Sequence, residues 1–278
     1  MTDEQVRRSS GQEIIRDQKA FSHRKNETTI MVRLIVGNKT FDCKLVIFDK
    51  DGTLVDLYQV LLALAGARRL TVEKHGGSEV AGLWEKVMGV DLAHGNMDYG
   101  GPLATAPRQQ EILIASAAFY LKGCPWEEAR KHAEKAYDEA DERMRPPFGT
   151  VLLKGVEAVL TQMEAHGLKL AIASTDTHRR ITTSFEALGI APLFDAFVGD
   201  DDVVNGKPAP DMIVEAMKHT GCTAEQTIMV GDSVFDMRMG KNAKVNASVG
   251  VLTGSTKREK LEQFADIVIP SVAEIRLV

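Results

Sequence analysis

An α/β fold is what this sequence predicts, a doubly wound parallel sheet with a helical segment inserted into it. Three observations lead there. Short apolar runs at Leu45–Phe48, 168–173 and 227–230 stop abruptly on polar residues, as central parallel strands covered on both faces do. Segments of helical spacing that close on glycine lie before and after the second run and before the third, the alternation expected of a parallel sheet and its crossover helices. The chain between Asp49 and Ser174 is far longer than one crossover needs, so that interval holds an insertion.

Taken in order, residues 1–29 are polar and charged with scattered apolar positions, which predicts a mobile tail or a marginal helix and makes Met31 a candidate natural start. Residues 31–36, the turn Gly37-Asn38-Lys39 and residues 40–48 read as a strand, a tight turn and the central strand. The insertion, 57–148, is helical. Leu57, Val60, Leu61, Leu64 and Ala65 keep helix spacing, as do Ile112, Ala115, Ser116 and Phe119. Residues 125–144 read as a helix with Pro125 in its first turn and a solvated face of Glu127, Lys131, Glu134, Lys135, Asp138 and Glu139. Residues 89–102, with His94, Asn96, Asp98 and four glycines, read as a long loop. Beyond the insertion, helices over 154–166, 177–188 and 208–220 end at Gly167, Gly189 and Gly221. Apolar runs at 195–199, 245–251 and 266–269 supply further strands, so the sheet domain comprises 30–56 and 149–278.

Composition narrows the function classes. With 278 residues, 44% of them apolar, the chain can build one α/β domain and a smaller inserted one. A net charge of −5 and a pI near 5.9 argue against nucleic acid or an anionic membrane as partner. Cys43, Cys124 and Cys222 are odd in number and scattered, against a disulfide framework or a zinc site and for reduced thiols. No apolar stretch approaches the ~18 residues of a membrane span and the N-terminus has no signal-peptide core, so a cytoplasmic protein is expected.

The chemistry concentrates at strand ends. After the run Leu45–Phe48 stand Asp49 and Asp51, one residue apart and followed by Gly52 and Thr53. Two acids that close on one cavity repel unless a cation lies between them or one is protonated, and a hard divalent ion such as Mg²⁺ resolves this economically. The plainer alternative is an Asp-Gly turn. Ser174 and Thr175 end the second run, where hydroxyls can donate to a phosphoryl oxygen or merely cap a helix. Lys207 is followed by Pro208 and Pro210, which fix its loop and set its ammonium in one place. Asp232 ends the third run and Asp236 lies one helical turn further on, so a helix starting near Ser233 turns both to one cavity edge.

Read together, Asp49-Lys50-Asp51-Gly52-Thr53, Ser174, Gly206-Lys207-Pro208 with Pro210, and Gly231-Asp232-Ser233 with Asp236 resemble, in order, the motifs of the haloacid dehalogenase-like hydrolases. The resemblance covers the chain from about Lys44 onward. It implies a Rossmann-like core, and it makes the insertion similar to the α-helical cap of the subclass that encloses small substrates. It further implies Asp49 as nucleophile, Asp51 as acid and base, and Ser174, Thr175 and Lys207 as phosphate ligands. Mg²⁺ would be held by Asp49, the Asp51 carbonyl and Asp232, with Asp236 and Thr53 supporting.

Within the family, the carboxylate at Asp51 argues against a dehalogenase and Thr53 resembles the phosphatases more than the sugar phosphomutases. The resemblance implies a phosphatase acting on a small phosphorylated metabolite, phosphoglycolate being the best single name. A phosphomutase and a binding module without turnover stay as alternatives, as do a monomer and a homodimer.

Overall fold

The computed structural model describes residues 31–144 and 150–278. The sequence readings that fall on 1–29, including the candidate start, lie outside the described residues apart from Met31 itself. Two compact units emerge, one gathering the chain up to Leu54 with Lys154–Leu252 and Thr256–Val278, the other Val55–Leu153 with Thr253–Ser255. These divisions differ by a few residues from breaks after residues 56 and 148. In the second unit the two ends of the insertion are zipped together, Val55 pairing with Leu152 and the Asp56 N–H donating to the Val151 carbonyl at 2.8 Å.

The first unit opens with β1 (Val32–Val36), β2 (Lys39–Cys43) and β3 (Leu45–Phe48). Here the structure departs from a single strand over 40–48. Strand β2 pairs antiparallel with β1, whereas β3 joins a different, parallel sheet. The physical reason is coverage: Lys39 to Asp42 stay exposed or half-exposed, while all four residues of β3 are fully buried, so one flat strand cannot serve both surroundings. Cys43 at the junction is a free thiol whose pKa burial, and then the Asp42 carboxylate, push up to about 12, as expected of an unreactive core cysteine.

The second unit contains α1 (Leu57–Gly76), α2 (Ser78–Met88), a hairpin of β4 (Val90–Asp91) and β5 (Asn96–Met97), α3 (Pro102–Thr105), α4 (Arg108–Leu121) and α5 (Trp126–Arg143). The hairpin and α3 occupy most of the segment read as a loop, and α2 was not foreseen. Ala129, Ala133, Ala136 and Ala140 form a fully buried stripe on α5, whose small side chains let its neighbours approach closely, while the charges on its other face point to water. Trp84 and Tyr137 fill the centre, the indole N–H donating to the Tyr137 hydroxyl at 3.1 Å. Arg68 lies 4.6 Å over the Tyr137 ring and ion-pairs with buried Glu111.

The chain returns to the first unit with α6 (Val156–Ala165), β6 (Lys169–Ala173), α7 (His178–Ala187), β7 (Ala196–Val198), α8 (Asp211–Thr220), β8 (Thr227–Gly231), α9 (Val234–Ala243), β9 (Ala247–Val251), α10 (Arg258–Leu261), β10 (Ile267–Ile269) and β11 (Arg276–Leu277). Helix α8 starts three residues later than residue 208, because Ala209 precedes Pro210 and is steered away from helical backbone. Six strands form a wholly parallel sheet in the order β10-β9-β8-β3-β6-β7, and β11 joins β1 and β2 in the small antiparallel sheet. Strand β3 is central, with β6 on one side and β8 on the other, so the order reverses beside it. Its end residue Phe48 is level with Ile172 and Val230, which brings three strand ends to one switch point, where open α/β sheets bind ligands.

Candidate active site

At this switch point the Asp49 N–H continues the ladder one residue past β3, donating to the Val230 carbonyl at 2.9 Å. Beyond it the chain turns at Gly52 (φ +80°), a backbone conformation that side chains resist, and folds Thr53 back until its hydroxyl donates to Asp49 Oδ2 at 3.2 Å. Lys207 bridges two acids, its Nζ lying 2.6 Å from Asp49 Oδ1 and 2.6 Å from Asp236 Oδ1. All three side chains are buried, so each charge relies on the others rather than on water.

Asp236 is held from its own helix as well. Ser233 is the N-cap of α9, and the Asp236 carboxylate accepts from the Ser233 hydroxyl at 2.6 Å and its N–H at 3.1 Å. A Cβ added at Gly231 would come within 2.4–2.6 Å of the Asp236 side chain, so the strand must end on glycine for this acid to approach. Asp232, also buried, completes a group with Asp49 and Asp236 whose ligand atoms lie within 4.8 Å of one another.

Three buried carboxylates around one ammonium leave net negative charge in a poorly solvated place. Burial, against the pull of Lys207 and with the push of Asp236, raises the Asp49 pKa from its ordinary 3.8 to about 6. Lys207 moves upward too: burial pulls it down, but Asp236 and Asp49 outweigh that. Hard oxygen donors, excess negative charge and close spacing fit a hard divalent cation. Asp49, Asp232 and Asp236 are the carboxylates close enough to share such an ion, Asp236 being the one also tied to the cap of its own helix through Ser233.

The other sequence-selected residues fall around the same point. A cavity of about 340 Å³ is lined by Asp49, Asp51, Thr175, Lys207, Asp232, Ser233, Phe235 and Asp236. Ser174 is buried at the end of β6, outside that lining; its Oγ accepts from the Asp176 N–H at 3.2 Å, and Thr177, not Ser174, caps α7. Asp51 is tied through Oδ2 to Lys50 at 2.9 Å, while its Oδ1 is buried without a hydrogen-bond partner. Lys50 and Phe235 were not anticipated. A lysine set between the two acids that follow a fully apolar strand was the available signal for the first; nothing local marks the second.

A sequence model of the haloacid dehalogenase-like hydrolases matches residues 114–250. The chain is 30% identical over 232 residues to the phosphoglycolate phosphatase of Salmonella typhi, covering 78% of this chain and 84% of that one. It is 28% identical over 256 residues to the phosphoglycolate phosphatase of Escherichia coli K12, covering 86% and 93%. Among solved structures, a predicted phosphoglycolate phosphatase from Haemophilus somnus superposes with a TM-score of 0.60 at 21% identity, over 84% of this chain and 96% of that one, a likeness of fold. Because the sequence likeness runs through most of each relative rather than through one motif, this chain belongs to the haloacid dehalogenase-like hydrolase family, as a phosphoglycolate phosphatase-like enzyme.

Proposed function

We propose that this enzyme is a Mg²⁺-dependent phosphomonoester hydrolase working through an aspartyl-phosphate on Asp49, with phosphoglycolate first among the small phosphorylated metabolites it would take. The carrying observation is the difference between two acids on one cavity. Asp49 is clamped through both oxygens by Lys207 and Thr53, whereas Asp51 is held through Oδ2 alone and its Oδ1 has no hydrogen-bond partner. A nucleophile needs a fixed lone pair, and a proton carrier needs a free oxygen. The phosphoglycolate phosphatases among the relatives support the choice of substrate.

In the proposed reaction an Asp49 carboxylate oxygen bonds to phosphorus as the ester P–O bond breaks, and the leaving oxygen keeps that electron pair and takes a proton from Asp51. Water then bonds to the same phosphorus, gives a proton to Asp51 and displaces Asp49, so both acids are restored and inorganic phosphate departs. Lys207 and Thr175, on the cavity wall, receive phosphoryl oxygens. Ser174 joins them, since its oxygen accepts from Asp176 and its O–H is left to donate. Asp49 and Asp232, with the Asp51 carbonyl, would hold Mg²⁺, which would supply the positive charge that lets a carboxylate meet an anionic phosphate.

Phosphate release from a panel of phosphorylated metabolites, with and without Mg²⁺, tests this. Release that needs Mg²⁺ and disappears in Asp49→Asn is expected. A folded, Mg²⁺-loaded wild type that releases phosphate from none of them would refute the hydrolase reading.

A further inference from the structure

Lys50 takes no part in the steps above, yet its side chain is only 7% exposed, a costly place for an ammonium without partners. Its Nζ lies 2.9 Å from Asp51 Oδ2 and 3.1 Å from Asp176 Oδ2. Asp176 is in turn held through Oδ1 by Arg180 at 2.7 Å and by the Thr177 N–H at 3.0 Å. A chain of charge therefore runs from the start of α7 through Asp176 and Lys50 to Asp51. It leaves the Asp51 carboxylate divided, with Oδ2 anchored and Oδ1 buried and unpartnered. A purely structural ion pair gains from satisfying every buried lone pair. Here the oxygen left open belongs to a residue on the wall of the catalytic cavity.

We propose that Lys50 is a positioning residue for the reaction: anchored by Asp176, it holds the Asp51 carboxyl group through Oδ2 in the orientation from which it serves the leaving oxygen of the phosphate ester. This rests on Asp51 being the acid of the proposed mechanism. Proton transfer requires a heavy-atom approach of about 2.6–3.2 Å, which a carboxylate free to swing seldom holds. The defect from losing Lys50 therefore falls on esters whose leaving group needs a proton. An alkoxide leaves poorly without one, whereas p-nitrophenolate leaves readily.

The test compares kcat/KM, which covers steps up to the aspartyl-phosphate, for an alkyl phosphate and for p-nitrophenyl phosphate in wild type, Lys50→Met, Asp51→Asn and the double variant. Lys50→Met keeps the stem and removes the ammonium. It is expected to lower the alkyl kcat/KM roughly 10- to 100-fold and the aryl value less than about 3-fold, and to add nothing in the Asp51→Asn background. Equal losses on both esters, an unchanged alkyl rate, or a full further loss on top of Asp51→Asn would overturn the positioning role alone. An Asp51→Asn enzyme that keeps its alkyl rate would overturn the acid assignment, and the role of Lys50 with it. Should Lys50→Met not fold, Asp176→Asn breaks the far end of the same chain, and the same preference is expected at about 3- to 10-fold; its absence there would equally overturn the proposal.

Discussion

Asp49→Asn should remove turnover and yet make the metal-free protein more stable. The folded state holds the Asp49 proton more tightly than the unfolded chain does, with a pKa of about 6 against an ordinary 3.8. Below 3.8 both states are protonated and no penalty exists. As pH rises from about 4 to 6 the unfolded chain ionises freely while the fold resists, and above 6 the penalty is complete. At about 1.4 kcal/mol per pH unit it amounts to roughly 3 kcal/mol at neutral pH. Asparagine resembles the protonated acid at every pH, so the variant escapes it. For a chain of this size the gain is roughly 5 °C in melting temperature. Thermal melts in EDTA at pH 7.5 and pH 4.5 measure it: the variant should melt higher at pH 7.5, and its lead should shrink to about a third of that at pH 4.5. Saturating Mg²⁺ should close the neutral-pH gap, since a ligand at 100 times its Kd adds about 2.7 kcal/mol to the form that binds it. A variant that melts below wild type in EDTA at pH 7.5 would show that the Lys207 ion pair outweighs the crowding of acids, and the net-charge argument for the cation would fail.

Two further outcomes follow from the packing. Gly231→Ala places a Cβ where the Asp236 side chain sits, so the start of α9 must move. A stability loss of about 1–3 kcal/mol and a sharp fall in phosphate release are expected, checked by urea unfolding beside the activity assay. In the second unit, Arg68→Met strands the buried Glu111 carboxylate and should cost about 3–5 kcal/mol, while adding Glu111→Leu should recover most of it. A double variant as unstable as the single one would show that Arg68 acts through its stacking on Tyr137 instead.

Legibility in the sequence followed the range of the forces. Leu45–Phe48 could be read as a central strand because both of its faces are buried, a demand that every residue of the run must meet locally. Asp49 and Asp232 could be picked out because strand ends at a switch point are set by the same runs that build the sheet. What escaped depended on partners distant in sequence. The break between β2 and β3 exists because β1 and β11 claim one and β6 and β8 claim the other. Arg68 and Glu111 meet only when two helices pack, and Lys50 is explicable only once Asp176 arrives from β6.

The placement of Lys50 and Lys207 fits the two different duties proposed for the acids on one cavity wall. Each lysine is buried and each serves two carboxylates, yet their effects are opposite in kind. Lys207 clamps Asp49 by one oxygen while Thr53 takes the other, so the proposed nucleophile has no freedom to turn. Lys50 holds Asp51 by one oxygen only. The acids that crowd Lys207 are what raise the pKa of Asp49, so the same closeness that aligns a nucleophile destabilises the empty fold. A cation that relieved the crowding would therefore stabilise the fold and ready the site for the proposed anionic substrate together.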